Sequence, residues 1–546
     1  ALEVNGSIAS SSLTTVNANG VLTGTGSVGN TTVASGGTLL PGNGTPGSSL
    51  TVAGNLAFQS AALYLVQLNP ATSTFTGVTG TATLNGLVGA SFASGTYVAK
   101  QYTILTAAGG VSGTFSGVDS LGLPAGFKIS LSYDAHDAYL DLALGFGVPG
   151  GLNINQQNVA NALTGFFNAT GGIPIVFGEL TPAALTQISG ELATGSQQAT
   201  FDAMGLFMGL LTDPFMNRSG NGANGAGATP FAEEASAYAS NGRPRTNSER
   251  DAYAAMYGKA PPAAPFVPSW SVWAAGFGGS QTTDGNAALG SNTASNSIAG
   301  TAVGADYRFS PYTLAGFALA GGGTNFSVNG FGSGRSDLFQ AGAYVRHMQG
   351  PAYISAALAY GWQDITTNRT VTVAGIDQLQ ARFNANAYSG RAEGGYRFAT
   401  PWMGVTPYAA AQFTTFDLPA YAEQAIVGSN MFALAYGARD VTDSRSELGI
   451  RTDKSFAMQN GILTLRGRFA WAHDFDPDRG IGATFQSLPG ASFVVNGAAQ
   501  AHDSALTTAS AEMKWMNGWS AAATFEGEFS QVTRSYAGKG VVRYAW

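Results

Sequence analysis

The chain contains no cysteine, few charged residues and no long apolar run among its 546 residues. The lack of cysteine excludes disulfides, thiol catalysis and cysteine-based metal sites. Charged residues form only 10% of the chain, yet no stretch approaches the ~18 consecutive apolar residues of a membrane-spanning helix, which excludes a helical span. The formal net charge of −7, without any basic stripe, excludes nucleic acid as a partner.

The chain is instead rich in glycine, with 75 residues, and in aromatic side chains, which form 11% of it. Such a composition, in a sequence without long apolar runs, is typical of long alternating β-strands. We therefore expect a mainly β fold.

Residues 1–147 contain short β-prone runs that each close on Gly or Asn, as in TTVASGGTLLPGN. Val16, Val33 and Val52 follow one another at nearly equal intervals along this segment. A spacing of about 20 residues with one turn per period predicts the rungs of a parallel β-solenoid. The alternative is a Gly/Ser-rich linker, which would not need regular Val and Leu positions. The longer strands that follow, up to Leu144, predict a hairpin-containing cap.

Residues 148–268 predict a helical and low-complexity linker. Thr181 followed by Pro182 is a typical helix start, and residues 197–216 have helical apolar spacing. After a low-complexity stretch, residues 247–260 (NSERDAYAAMYGKA) predict one more short helix.

The last half of the chain, residues 269–546, alternates strand and turn, and WSAAATFEGEFS shows the pattern most clearly. Trp519 and Phe529 fall on one face of this segment, and Glu526 and Glu528 fall on the other. An apolar face that ends in aromatics, opposite a face with charges of both signs, is typical of a membrane barrel with a wet lumen. A soluble β-sandwich is the alternative.

We predict twelve antiparallel strands, an even number as in bacterial outer-membrane barrels. Their predicted centres lie near Trp273, Val303, Phe317, Ala343, Leu358, Ala392, Ala409, Leu448, Gly467, Ala511, Phe525 and Val542. The predicted lumen charges are Arg391, Glu393, Arg397, Arg466, Arg468, Glu526, Glu528 and Arg543.

The connections between the predicted strands alternate in length. Tight turns alternate with four longer inserts at residues 281–298, 364–378, 418–438 and 476–500. Long outer loops and short periplasmic turns are typical of outer-membrane barrels. Both ends of the barrel are therefore expected on the periplasmic side.

The order of parts resembles the autotransporters of type V secretion over nearly the whole chain. TVASGGTLLPGN and QYTILTAAGGVSGTFSGV look like the end of that family's β-helical passenger, where the last segment assists passenger folding, and LTPAALTQISGEL with the following helix resembles its linker. The resemblance implies a translocator barrel whose assembly signal, read by the barrel assembly machinery, is Trp546 with Tyr544 and Val542. Some family members cut themselves at an Asn-Asn pair inside the pore. This sequence has no such pair, so release by that route is not expected.

A passenger outside the cell and a barrel that begins in the periplasm require the chain to cross the pore just before the first strand. About 20 helical residues cross a ~30 Å layer, and counting back gives residues 247–268. We predict that this helix lies in the lumen, with Arg250, Asp251 and Lys259 facing the lumen charges. Two alternatives remain: residues 197–216, which resemble the family's pore segment more closely, and a polar lumen without a helix partner.

Three functions are compatible with the sequence. The first is an outer-membrane translocator that secretes its own passenger and anchors it at the cell surface for adhesion. The second is a small-solute channel, and the third is an anchor for an enzyme module upstream of residue 1. No catalytic motif, metal-ligand spacing or cofactor fingerprint is found in the chain. The expected partners are outer-membrane lipid, the barrel assembly machinery and the passenger, with the protein as a monomer.

Overall fold

The computed structural model describes residues 1–93, 95, 97–147, 150–213 and 266–546. The chain divides into two compact units. Unit 1 comprises Ala1–Ser189, Val371–Ile376 and Ala483–Val494, and unit 2 comprises Gly190–Thr370, Asp377–Gly482 and Val495–Trp546. None of the helices in these described ranges has the length and apolarity of a membrane-spanning helix.

Unit 1 contains a parallel β-helix with three sheets. Its strands are β1 (Leu2–Glu3), β2 (Ser7–Ile8), β3 (Thr14–Val16), β4 (Val21–Gly24), β5 (Ser27–Val28), β6 (Thr31–Val33), β7 (Thr38–Pro41), β8 (Ser49–Val52), β9 (Leu56–Phe58), β10 (Leu63–Leu68), β11 (Phe75–Val78), β12 (Ala82–Leu84), β13 (Leu87–Phe92), β14 (Tyr97–Ala99), β15 (Gln101–Ala107), β16 (Val111–Gly113), β17 (Gly117–Leu121), β18 (Phe127–Tyr133) and β19 (Asp137–Leu144). The first sheet has the order β1-β4-β7-β10-β13-β17, the second contains β2-β5-β8-β11-β15, and the third is β3-β6-β9-β12-β16. Each rung thus gives one strand to each sheet, and the predicted parallel β-solenoid is confirmed.

Equivalent positions on successive rungs stack their side chains in the interior of the β-helix. Leu22, Leu39 and Tyr64 are in register on neighbouring strands of the first sheet, and each is at most 1% exposed. The Tyr64 hydroxyl donates to the carbonyl oxygen of Ile104 and lies 3.0 Å from Thr76 Oγ1, within hydrogen-bond distance. Burial raises the pKa of Tyr64 well above its ordinary value, so the hydroxyl stays protonated.

The rung length varies along the β-helix, and this corrects one predicted spacing. Val16 pairs with Val33, as the sequence spacing predicts. Val33 then pairs with Phe58 on the third sheet, whereas Val52 pairs with Val28 on the second sheet. The predicted step from Val33 to Val52 is therefore wrong, because it joins two valines that belong to different faces of the solenoid.

An antiparallel hairpin of β18 and β19 extends the second sheet, with β19 paired to β15. Asp134 shapes its turn, since its Oδ1 accepts the amides of His136 and Asp137 at 2.8 and 2.7 Å. The Tyr139 hydroxyl donates to the other carboxylate oxygen at 2.8 Å. The hydrogen bond from the His136 amide contributes most to lowering the pKa of Asp134. The predicted hairpin is present, and its role in folding stays a prediction.

The rest of unit 1 that precedes residue 190 is mainly helical. Its elements are α1 (Ile154–Thr170), β20 (Gly172–Pro174), a 3-10 helix (Ile175–Gly178) and α2 (Pro182–Ile188). Helix α1 begins with a capping box in which Asn153 Oδ1 accepts the Gln156 amide at 2.9 Å and Gln156 Oε1 accepts the Asn153 amide at 3.1 Å. Thr181 caps α2 by accepting the Ala184 amide at 3.2 Å, which confirms the predicted helix start.

Unit 2 contains helix α3 (Leu192–Thr212) and a closed antiparallel barrel. The strands that follow α3 along the chain are β21 (Ser269–Thr283), β22 (Ala294–Arg308), β23 (Thr313–Val328), β24 (Gly332–Gln349), β25 (Ala352–Val371), β26 (Asp377–Tyr396), β27 (Phe398–Ala399), β28 (Gly404–Leu418), β29 (Tyr421–Ala422), β30 (Gln424–Val427), β31 (Leu434–Tyr436), β32 (Arg439–Met458), β33 (Gly461–Asp474), β34 (Gly480–Phe485), β35 (Ser492–Asn496), β36 (Asp503–Trp515), β37 (Trp519–Phe529) and β38 (Thr533–Ala545). Twelve of them form the barrel, namely β21 to β26, β28, β32, β33 and β36 to β38, and the pairing of β38 with β21 closes it. Every predicted strand centre falls within one of these twelve strands, so the predicted barrel is confirmed.

The barrel strands point apolar side chains outward and polar side chains inward. Leu358 and Phe469 are 67% and 75% exposed on the outer surface, whereas Gln363 and Thr414 on the inner face are 3% and 2% exposed. This polarity is stable only where the outer surface meets lipid hydrocarbon. The soluble β-sandwich alternative is therefore excluded.

Two of the connections are long, as predicted. Residues 419–438 join β28 to β32 and contain β29, β30 and β31, and residues 475–502 join β33 to β36 and contain β34 and β35. The turns at the opposite end of the barrel are short, such as the two residues between β32 and β33.

Two of the predicted long inserts are wrong. The predicted inserts at residues 281–298 and 364–378 are mostly strand, and only residues 284–293 and 372–376 connect the barrel strands there. The ladders of backbone hydrogen bonds continue past the apolar band, so the strands are longer than the membrane requires.

Candidate functional site: the barrel lumen and its helix

Helix α3 lies inside the ring of strands. It packs against β22, β23, β24, β26 and β28, and its residues Phe207 and Met208 are fully buried. The helix is rich in Ala, Leu, Met and Gln, which are strong helix formers, and Asp202 is its single charged residue. The lumen thus contains residues 192–212, which overlap the alternative pore segment at 197–216.

The favoured pore segment is residues 247–268, with charges at Arg250, Asp251 and Lys259. Residues 247–265 lie outside the described part of the chain. Their placement in the lumen stays a prediction.

Glycines on the helix make room for side chains of the barrel wall, and glycines on the wall make room for side chains of the helix. A Cβ atom at Gly361 of β25 would lie 2.8 Å from the sulfur of Met204. A Cβ atom at Gly195 of the helix would lie 2.9 Å from the ring of Phe326 on β23. Both contacts are too close for any larger residue without a shift, so the helix packs directly on the wall at these two glycines.

Neutral polar side chains of the wall bind the helix on one side. Gln363 Nε2 donates to Thr200 Oγ1 at 3.0 Å, and Gln340 Nε2 donates to a helix carbonyl at 3.1 Å. Asn296 Nδ2 donates to Asp202 Oδ2 at 2.7 Å. These hydrogen bonds satisfy groups that would otherwise be buried without a partner.

An ionic network occupies the opposite wall. Arg391 lies between Glu393 at 3.0 Å and Glu447 at 2.8 Å, and Arg451 pairs with the other side of Glu393. All four side chains are at most 7% exposed. Buried charges in such alternation stabilise one another only while every partner is present.

The network continues around the wall toward the last strands. Arg468 lies 3.9 Å from Glu447 and 3.8 Å from Glu526, and Lys539 Nζ lies 2.9 Å from Glu526. The same ammonium lies over the helix, 2.7 Å from where a Cβ of Gly209 would stand. The wall charges and the helix are therefore in direct contact at this level.

The remaining predicted lumen charges also face ionic partners. The pairs are Arg466–Glu512 at 2.6 Å, Glu528–Arg445 at 2.6 Å, Arg397–Asp453 at 2.7 Å and Arg543–Asp306. Arg397 differs from the others because its side chain is 38% exposed.

A cavity of about 170 Å³ lies between α3 and the ionic wall. The helix contributes Phe201, Asp202 and Leu206 to its lining, and the wall contributes Arg445 and Glu528 among other charges. A polar cavity of this size holds several ordered waters. The lumen therefore has room for water on one side of the helix and is closely packed on the other.

The long connection between β28 and β32 is fixed to the wall by a buried ion pair. Arg369 of β25 and Glu423 form a two-point contact, with Nε to Oε1 at 3.0 Å, and are 2% and 4% exposed. The Tyr436 hydroxyl donates to Glu423 at 3.1 Å. Burial raises the pKa of Tyr436 well above its ordinary value, so it remains a donor.

The three residues predicted as the assembly signal lie at the closing seam of the barrel. Val542 and Trp546 are 48% and 61% exposed on the outer surface. The Tyr544 ring lies 5.0 Å from that of Trp519 and 5.8 Å from that of Trp546. The Trp546 amide donates to the carbonyl of Trp270 on the first strand at 3.3 Å. Recognition of these residues by an assembly machinery stays a prediction.

Some lumen residues were absent from the sequence prediction. Glu447 and Arg451 alternate with the outward Leu448 and Ile450 in SELGIR, so the two-residue period could have identified them. Arg479 contacts the helix from a long connection, where no alternation marks it.

Residues 272–526 match the family described as "Autotransporter beta-domain". The match begins inside β21 and ends inside β37. Among curated proteins, an extracellular serine protease of Serratia marcescens is 26% identical over 141 residues, which are 26% of this chain and 13% of that protein. The chain thus spans a small part of that relative's length.

Solved barrels of similar description also align. The translocator domain of the autotransporter NalP from Neisseria meningitidis covers 57% of this chain and 98% of its own, with 16% identity and a TM-score of 0.42. The β-domain of the Bordetella autotransporter BrkA covers 51% and 100%, with 18% identity and a TM-score of 0.40. The toluene transporter TbuX of Ralstonia pickettii covers 50% and 88%, with 12% identity and a TM-score of 0.32.

Proposed function

Because this chain belongs to the autotransporter family and its barrel lies in the bacterial outer membrane, we propose that the barrel carries the chain's own β-helix across that membrane and holds it at the cell surface. The β-helix is then the passenger, and adhesion is its proposed role. The proposed partners are outer-membrane lipid and the barrel assembly machinery, which would read Trp546 and its neighbours. The barrel acts as a monomer in this proposal and has no catalytic role.

The observation that supports the proposal is the direction of α3 in the lumen. Its first residues lie at the end of the barrel with the long connections, since Asn292 donates to both carboxylate oxygens of Glu191 at 2.6 Å. Long connections face outward in outer-membrane barrels. The first residues of α3 therefore lie at the end of the lumen that is expected to face outward.

A surface-display experiment tests this proposal. An epitope tag is inserted after Asn43, in an exposed turn of the β-helix, and antibody binding is measured on intact and on permeabilised cells. We expect binding on intact cells. A matched chain without residues 533–546 lacks β38 and should bind antibody only after permeabilisation. Equal labelling of the two chains on intact cells would contradict the proposal.

A second experiment tests the folding role of the cap. Deleting residues 86–147 removes the last rungs and the β18–β19 hairpin but leaves the barrel strands in place. We expect normal barrel insertion and a loss of protease-resistant β-helix at the surface. An unchanged amount of protease-resistant passenger would exclude a folding role for this segment.

A small-solute channel is the second candidate, favoured by the wet cavity beside α3. Planar-bilayer conductance separates the two candidates. A translocator closed by its helix should conduct weakly, and deletion of residues 190–213 should raise the conductance strongly. A channel function predicts high conductance of the whole chain and little change on deletion.

An enzyme activity carried upstream of residue 1 is the third candidate, because the Serratia relative is named as a protease. Hydrolysis of a general protein substrate by cells that display the complete precursor tests it, with cells that display residues 1–546 as the control.

A further inference from the structure

One arginine connects α3 to the outer end of the barrel. Arg479 lies in the connection at residues 475–502, and its side chain is 1% exposed. Its Nε donates to Gln198 Oε1 of the helix at 3.0 Å. Its guanidinium carbon also lies 4.5 Å from the centre of the Phe201 ring, one turn further along α3. One side chain therefore contacts two successive positions on one face of the helix.

The guanidinium is held on its other sides by the barrel. One terminal nitrogen donates to Asp443 of β32 at 2.9 Å. The other donates to the carbonyls of Asp476 and Asp478 at 2.8 and 3.2 Å. These contacts fix the plane of the guanidinium and so the direction in which Nε points.

The number of residues between α3 and β21 does not by itself fix the position of the helix along the pore. Residues 213–268 separate the end of α3 from the beginning of β21. A chain of that length can extend to roughly 180 Å, whereas the membrane layer is ~30 Å thick. Contacts between the side chains of α3 and the lumen therefore bear on its axial position.

Much of the helix surface is apolar or small, and apart from the contacts with Arg479 its specific polar contacts to the wall include those of Thr200 and Asp202. Of its 21 residues, only Asp202 is charged, and apolar or small residues surround most of its circumference. A slide by one turn is about 5.4 Å, and many van der Waals contacts can re-form after it. The contact of Arg479 with Gln198 and Phe201 cannot, because it needs an amide and a ring at fixed spacing.

We propose that Arg479 is a positioning residue that recognises Gln198 and Phe201 and fixes the axial register of α3 in the lumen. If the barrel carries its passenger as proposed above, the same contact determines where the crossing of the chain stops. The recognised chemistry is a helical peptide with an amide acceptor and an aromatic ring one helical turn apart.

Disulfide crosslinking in the full-length chain tests this register, since the chain has no cysteine of its own. Gly361→Cys with Met204→Cys reports the described register. Gly361→Cys with Met208→Cys reports an outward slide by one turn, and Gly361→Cys with Thr200→Cys reports an inward slide. Each pair is expressed in cells, oxidised in outer-membrane fractions and quantified on non-reducing gels.

In the parent background we expect the Met204 pair to crosslink and both shifted pairs to remain reduced. Arg479→Ala and Gln198→Ala should each lower the ratio of described to shifted crosslinks by about tenfold, the effect of losing a hydrogen bond to a charged group. In Arg479→Lys the crosslink ratio should stay close to that of Arg479→Ala, because an ammonium cannot make all the contacts of the planar guanidinium. The matched control is Arg382→Ala, which removes an exposed arginine paired with Asp364.

The double variant Arg479→Ala with Gln198→Ala should lower the ratio no further than either single variant. An unchanged ratio in both single variants would overturn the proposal. If Arg479→Ala fails to give an SDS-resistant barrel, Gln198→Ala decides alone, since Gln198 belongs to the helix and not to the wall. The surface tag after Asn43 is measured in parallel. A tag that stays inside the cell refutes the proposed secretion, while the crosslink ratio still reports the register.

Discussion

The β-helix and the barrel use the same two-residue alternation with opposite polarity. Leu39 in the β-helix is fully buried, and Leu358 in the barrel is 67% exposed. Both leucines lie on strands whose neighbouring residues point the other way. The comparison shows that the medium outside each strand, water or hydrocarbon, decides which face becomes the interior.

The two interiors also handle polar groups differently. In the β-helix core, the hydroxyl of Tyr64 is satisfied locally by hydrogen bonds to Thr76 and Ile104. The barrel interior contains a network in which Glu447 contacts Arg391 and Arg468. Removal of one polar group should therefore cost little in the first interior and much in the second.

The largest expected effect follows from Glu447→Ala. The substitution leaves Arg391 buried without its main partner and should lower the free energy of unfolding of the barrel by about 3–5 kcal/mol. Urea unfolding in lipid vesicles, followed by tryptophan fluorescence, measures this. All eight tryptophans lie at or after Trp270, so the β-helix does not contribute to the signal.

Asp453→Ala is the matched control for Glu447→Ala. It removes the partner of Arg397 in a pair that is 38% and 28% exposed, where an ion pair contributes less than about 1 kcal/mol. Equal losses from the two substitutions would show that the lumen network is no more coupled than a surface pair.

The next effect concerns the outward faces. Leu358→Arg should destabilise the barrel by about 2–4 kcal/mol, because it places a charge in hydrocarbon. Thr83→Arg, on the exposed face of a β-helix strand, should change the stability of that unit by about 0.5 kcal/mol or less. Refolding yield into vesicles measures the effect of Leu358→Arg, and protease resistance of the β-helix measures the effect of Thr83→Arg. A tolerated Leu358→Arg would indicate that this face does not contact lipid.

A smaller effect is expected from Tyr64→Phe. The variant keeps the ring and removes the hydroxyl, which leaves the Ile104 carbonyl without this donor and Thr76 Oγ1 without its hydroxyl partner. The β-helix should lose about 1–2 kcal/mol, measured by amide hydrogen exchange of its buried strands. Tyr139→Phe, in the cap hairpin, is the control and should change exchange only near the turn. A loss as large as that from Glu447→Ala would erase the difference between the two interiors.

The smallest effect is a dependence on pH in the cap hairpin. Because the pKa of Asp134 is lowered in the fold, its contribution is complete above the ordinary Asp pKa of about 3.9 and is lost as the pH falls through the lowered value. Exchange of the His136 and Asp137 amides, corrected for intrinsic rates, should then accelerate. In Asp134→Ala the acceleration should be absent, and its persistence would assign the effect to another group.

Much of the architecture was predictable because alternation is a local property. Arg391 and Glu393 were assigned to the lumen because they alternate with the outward Tyr388 and Ala392, and the structure places them there. The register of the solenoid was less accessible, since the step from Val33 to its partner Phe58 is longer than the step from Val16 to Val33. Because the rungs differ in length, valines at similar spacing in the sequence lie on different faces of the solenoid.

The ends of the strands and the helix contacts needed the three-dimensional structure. The ladder of β25 continues to Val371 with polar residues that resemble loop sequence. A prediction from composition alone therefore ended the strand too early. Arg479 acts on α3 from 281 residues away in the chain. A contact at that separation leaves no periodic trace in either segment.

The seam between β21 and β38 also fixes an order in time. A ribosome makes the β-helix first and β38 last, and the ring has no closing strand until residues 533–545 exist. If the barrel carries the β-helix across the membrane as proposed, the β-helix must stay unfolded and transport-competent until that closing strand exists. Slow folding of the β-helix would then be a requirement of the route rather than a defect of the sequence.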